Sequence, residues 1–199
     1  MECSTSARCG AKSLAHSINN AGEVVGYSTT ASGPTHAFRW TAAGGMVDLG
    51  TLGGAGSRGW GINGAGEVVG DSLVPSGGTH AFRWSAAAGM VGLGTLGGIV
   101  SNAYDVNSAG QIVGLSTAAS GSSVYRAFLW TAAGGMVDLG TLGGTPSSIY
   151  GINDAGQVVG NANTMGGATH AFLWTAAGGF VDLGSLAART ATPIAAPPR

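Results

Sequence analysis

The chain has 199 residues, enough for one domain with a real core, and carries a net charge of −1 with only 9% charged residues. Eight basic residues scattered among nine acidic ones make no basic stripe, which argues against a nucleic-acid partner, and no apolar run reaches the length of a membrane span. Glycine fills 38 positions, yet a hydrophobic fraction of 44% is too high for disorder, so the glycines, which recur in register, read as turn and bulge positions of a short-stranded β protein.

The opening segment, MECSTSARCG, lacks the charged and apolar regions of a secretory signal. Cys3 and Cys9 lie outside the repeats and could close a small loop, but two cysteines in a tail make no disulfide framework. From residue 11 the chain writes one unit four times, over 11–54, 55–98, 99–144 and 145–187. Asn19, Asn63, Asn107 and Asn153 mark the register at steps of 44, 44 and 46 residues, and Trp40, Trp84, Trp130 and Trp174 recur in step. A period of this size means a solenoid, a propeller or an array.

Within the second copy, a first strand ends at Trp60-Gly61-Ile62-Asn63, and Asn63-Gly64-Ala65-Gly66 is a turn signal. Glu67-Val68-Val69-Gly70 makes a second strand, followed by a loop whose length varies between copies. The third strand, Thr79 to Trp84, puts His80, Phe82 and Trp84 on one face and Ala81 and Arg83 on the other. Gly89 to Leu93 forms a fourth strand that leads into the connector GTLGG. Val24/Val25, Phe38/Trp40 and Met46/Val47/Leu49, with their counterparts, are the expected packing positions, and Trp84 is expected to be buried. Residues 188–199 form an Ala/Pro-rich tail.

Helical periodicity is absent, so the fold class is all-β: four tandem four-stranded repeats of about 44 residues, predicted to form a small four-bladed β-propeller. Each copy starts at a first strand and ends after a fourth, which supplies no strand exchange to lock a ring. An open β solenoid and an oligomer that completes a larger ring are the alternative architectures.

The tripeptides His36-Ala37-Phe38, His80-Ala81-Phe82 and His170-Ala171-Phe172, preceded by INxxG(E/Q)VVG and followed by GGMVDLGTLGG, resemble the HAF repeat family. The resemblance implies an exported bacterial repeat protein with a propeller-like arrangement, and it brings no reaction, cofactor or partner with it. The pattern breaks at Arg126, which replaces the third His, and at Gly92, which replaces an Asp.

Several residues are chemical candidates. His36, His80 and His170 occupy equivalent places, and three imidazoles plus water is a catalytic zinc pattern. If their strand is third in its unit, they sit far apart and each bonds its own sheet. Asn19, Asn63, Asn107 and Asn153 suit turn capping, with a ring of oxygen ligands for Ca²⁺ as the alternative. Asp48, Asp138 and Asp182 read as solvated or turn-bonded carboxylates. Gly70-Asp71-Ser72-Leu73 spells a hydrolase motif, but its counterparts are ordinary repeat strands.

Positions where one copy departs from the others are more informative. His16 stands where the others have Trp60, Tyr104 and Tyr150; Asp105 replaces a Gly; Asp71 stands opposite Tyr27, Leu115 and Asn161; Tyr125-Arg126 breaks the Thr-His pair. If first strands line a channel, His16 and Asp105 could hold a metal or activate water. Trp60, Tyr104 and Tyr150 are the expected ligand contacts. The function read from these residues is an extracellular or cell-surface β-repeat scaffold or binding module. Its partner would be a small molecule, carbohydrate or peptide at the channel mouth or loops. The alternative is a metal-assisted hydrolase of esters, lactones or phosphoesters with Ca or Zn in the channel.

Overall fold

The computed structural model describes residues 11–119 and 124–186; the expectations for Cys3, Cys9 and the 188–199 tail lie outside the described residues. The first copy contributes β1 (Ser13–Ile18), β2 (Val24–Thr29), β3 (Thr35–Thr41) and β4 (Gly45–Asp48), and the second β5 (Ser57–Ile62), β6 (Val68–Leu73), β7 (Thr79–Ser85) and β8 (Gly89–Gly92). The third copy contributes β9 (Ser101–Val106), β10 (Ile112–Thr117), β11 (Tyr125–Thr131) and β12 (Gly135–Gly140). The last gives β13 (Gly143–Ile152), β14 (Val158–Thr164), β15 (Thr169–Thr175) and β16 (Gly179–Gly184). Each copy is one antiparallel four-stranded meander, its strands ordered as in the chain.

The turn residues explain the meanders. Asn63 Oδ1 accepts the N–H groups of Ala65 and Glu67, both at 3.0 Å, and Gly66 adopts φ +76°, so the β5–β6 turn closes on its own side chain. The equivalent bonds recur in all four copies.

The sheets pack face to face in chain order through three apolar seams. Val25, Ala37 and Leu49 meet Ile62, Val68 and Phe82; Val69, Ala81 and Leu93 meet Val106, Ile112 and Phe128; Val113 and Ala127 meet Ile149, Val158 and Phe172. The paired valines of a second strand therefore serve two seams, Val68 backward and Val69 forward. Gly70 is a packing glycine, not a turn residue: a Cβ there would stand 2.8 Å from the Phe82 ring.

Some packing expectations change. Trp40, Met46 and Val47 are exposed, and Trp84 is only partly buried while Phe82 is completely so. Contacts between sheets run through first, second and third strands, which leaves the fourth strand at an open outer edge. The ring is also open. Among the described residues no seam joins β13–β16 back to β1–β4, in keeping with sheets each built from four consecutive strands of a single copy.

Candidate functional site

The first strands β1, β5, β9 and β13 neighbour one another and line the inner side of the array. Each pairs with its second strand through a β-bulge, and the residue left out of the register is His16, Trp60, Tyr104 or Tyr150 in turn. A bulge breaks the in–out alternation of a strand and re-aims the extra side chain. The positions singled out by residue type are thus those the backbone turns aside from the ladder. All four line one cleft of about 400 Å³, joined there by Leu115 and Ser148. The His16 ring lies 4.4 Å from Trp60 and 5.2 Å from Tyr27, and Trp60 lies 6.5 Å from Tyr104. Tyr150 is exposed, its hydroxyl accepting a 3.1 Å bond from the Asn161 amide.

A second cavity of about 380 Å³ adjoins this row, and four of its lining residues are repeated in no other copy. Arg58, Asp71, Asn102 and Tyr125 line it, with Thr35 and Thr79. Asp71 is buried opposite Arg58 on the neighbouring strand, and the Trp60 indole N–H donates to its carboxylate. Burial pushes the Asp71 carboxyl above the ordinary carboxylate range, outweighing the Trp60 hydrogen bond and the Arg58 charge, which both act downward. The Arg58 guanidinium stands 6.0 Å over the Tyr27 ring. Burial first, then Asp71 and Tyr125, raise the Tyr104 hydroxyl above its ordinary value. Sequence reasoning passed over Arg58 and Asn102. Their signal was available: the equivalent positions hold Leu14 and Ser148, so the two depart from any consensus.

The remaining candidates have structural partners. His36 Nδ1 bonds Asp48 at 2.8 Å and His170 Nδ1 bonds Asp182 at 2.9 Å, each within its own sheet. The His170 bond, then the Gly184 N–H, hold the Asp182 carboxyl below its usual range. In the third copy Arg126 takes the His place and approaches Asp138 at 2.6 Å, matching charge without hydrogen-bond alignment. Among the described residues His80 has no such partner, because Gly92 stands where the Asp would be. The same Asp residues accept the N–H groups of Gly50, Gly140 and Gly184.

Asn19, Asn63 and Asn107 use Oδ1 on their own turns, while Nδ2 donates to the carbonyl of Asn63, Asn107 and Asn153 respectively, each at 3.0 Å. This stitching from sheet to sheet was not anticipated from the sequence. Asp105 accepts the Ile152 N–H at 2.9 Å across the last seam and the Val106 N–H within its own strand. His16 lies instead among Tyr27 and Trp60, and no hydrogen bond or ion pair joins it to Asp105. Ser72 of the hydrolase-like tetrapeptide is buried and bonded to Leu52 and Gly56. Among the described residues, no three His, Cys, Asp or Glu side chains are grouped as a metal site needs, and no helix is long and apolar enough to cross a membrane.

No family model matches the chain, and no curated protein matches it. Among solved structures, TolB from Acinetobacter baumannii is similar in fold, with a TM-score of 0.62 at 12% identity over 86% of this chain. The chain spans 43% of that structure's length. A triple arginine-to-alanine mutant of AofleA from Arthrobotrys oligospora aligns over 87% of this chain and 56% of its own, at 15% identity and a TM-score of 0.45. The first likeness concerns the fold alone: four antiparallel four-stranded sheets arranged like part of TolB.

Proposed function

We propose that the chain is an extracellular binding module of the HAF repeat type, its sheets acting as propeller blades, and that its inner cleft takes a carbohydrate. One observation carries the reading: four successive bulges deliver His16, Trp60, Tyr104 and Tyr150 to a single cleft. Aromatic rings with a polar handle suit the mixed apolar and hydroxylated faces of a sugar. The adjoining Arg58, Asp71 and Asn102 supply donors and acceptors for hydroxyl groups. Small-molecule sites combine an apolar lining with a few placed polar groups in this way.

Binding is tested with a panel of neutral and acidic oligosaccharides by calorimetry. Trp60→Ala and Tyr104→Ala should each weaken the best ligand at least about tenfold, a loss of about 1.4 kcal/mol, while the fold is retained. A panel without any binder, or affinity unchanged in both variants, would remove the cleft from consideration.

A further inference from the structure

The two ends of the array are complementary, and the three internal seams show how. In each of those seams the connector Leu of one sheet plugs the next. Leu52 packs with Phe82 and Met90 and lies where a Cβ on Gly92 would meet it at 3.3 Å; Leu96 and Leu142 join the following seams in the same way. The backbone N–H of Leu52 donates to Ser72 Oγ, and that of Leu96 to Ser116 Oγ, both at 2.9 Å.

At the ends both halves of this device stand open. The fourth connector Leu, Leu186, is 90% exposed beyond β16, with Val159 and Leu183 exposed behind it. On the first sheet the matching socket is a cavity of about 240 Å³ lined by Ser28, Phe38, Met46 and the His36–Asp48 pair. These are the counterparts of Ser72, Phe82, Met90 and the His80–Gly92 position that receive Leu52. The polar stitching is open too. Among the described residues, Asn153 Nδ2 donates only within its own turn, to Gln157, and the Asn19 carbonyl accepts only from Gly22. Ala37 and Ala81 donate their N–H groups to Ser57 and Ser101 of the next sheet; Ala171 and Ser13 repeat that pair at the two ends.

We infer that the occupant of each end is the opposite end of a second copy of this chain. The contact is head to tail, with Leu186 in the Ser28–Phe38–Met46 socket and Asn153 bonded to the Asn19 carbonyl. It reproduces the first two internal seams in apolar knob, hydroxyl acceptor and amide donor, so the fit needs no new surface. Such a heterologous contact closes into a ring if its rotation returns to the start and otherwise grows as a filament. The inference does not depend on the carbohydrate reading.

The test is mass in solution by sedimentation and light scattering. The wild-type chain should run at twice 19.4 kDa or a higher whole multiple. Leu186→Asp with Leu183→Asp blocks one end, and Ile18→Asp with Met46→Asp blocks the other. All four positions are exposed, so each variant should fold, as circular dichroism would verify, and run as a monomer. Mixing the two variants should restore a heterodimer through the remaining intact ends. A monomeric wild type, as when the chain covers its own ends, overturns the inference. So does a multimer indifferent to either pair of changes, and so does a mixture that stays monomeric, which is the signature of a symmetric contact.

Discussion

The second sheet and the two terminal sheets carry nearly the same residues and treat them differently. Ile62 is 7% exposed where its counterpart Ile18 is 67% exposed, and Leu93 is 9% exposed where Leu183 is 58% exposed. Local backbone is alike throughout: the same meander, the same Asn turn, the same bulge. What differs is whether another sheet stands opposite. The repeat unit thus encodes a sheet with two adhesive faces, and position in the array decides which faces are satisfied.

The largest test of that contrast is Phe82→Ala, which empties a fully buried site between two sheets and should destabilise by about 3–5 kcal/mol in urea unfolding. Trp84→Ala should be milder, because the indole is only partly buried at the edge of that cluster. Equal losses would mean that the sheets close around Trp84 in solution. Ile62→Ala should lower stability by about 2–5 kcal/mol, whereas Ile18→Ala should stay within about 0.5 kcal/mol. The Ile18 comparison belongs on the Leu186→Asp background, where the ends stay open; a large loss there would reveal a cover over β1.

A finer contrast uses the stitching amides. On the same Leu186→Asp background, Asn63→Ala and Asn153→Ala both remove a turn cap, but only Asn63 also donates to the next sheet, so it should cost about 1 kcal/mol more. A smaller effect concerns pH. The Asp71 carboxyl is raised by burial, so the folded state binds its proton more tightly than the unfolded chain does. Its contribution is most favourable below the ordinary carboxylate range and is lost as pH rises through the folded value. Asp71→Asn keeps an acceptor for Trp60 without the buried charge. Its melting temperature should gain on the wild type from acid to neutral pH, and a gap that narrows over that range would reverse the assignment.

Much of the site was legible in residue types. His16, Trp60, Tyr104 and Tyr150 stood out because one position in each copy carries a ring, and they do share a cleft. Arg58 and Asn102 differ from their counterparts in the other copies, but that signal does not say what they face: their neighbours in space, Asp71 and Tyr125, come from other strands and another sheet. The second bond of Asn19, Asn63 and Asn107 was hidden for the same reason: its acceptor lies 44 or 46 residues away. Phe82 and Trp84 share a face by period two, yet Phe82 is fully buried and Trp84 only partly so, a difference set by packing against the neighbouring sheet.

By itself the sequence determined the repeat, the strand count and the turns, because period-two alternation and Asn–Gly turn chemistry act over a few residues. Tertiary structure alone decided which strand lies innermost, where the bulges aim the rings, and that the array stays open. Those outcomes depend on how one sheet packs against the next, and a pattern written almost identically four times cannot distinguish an interior copy from an end.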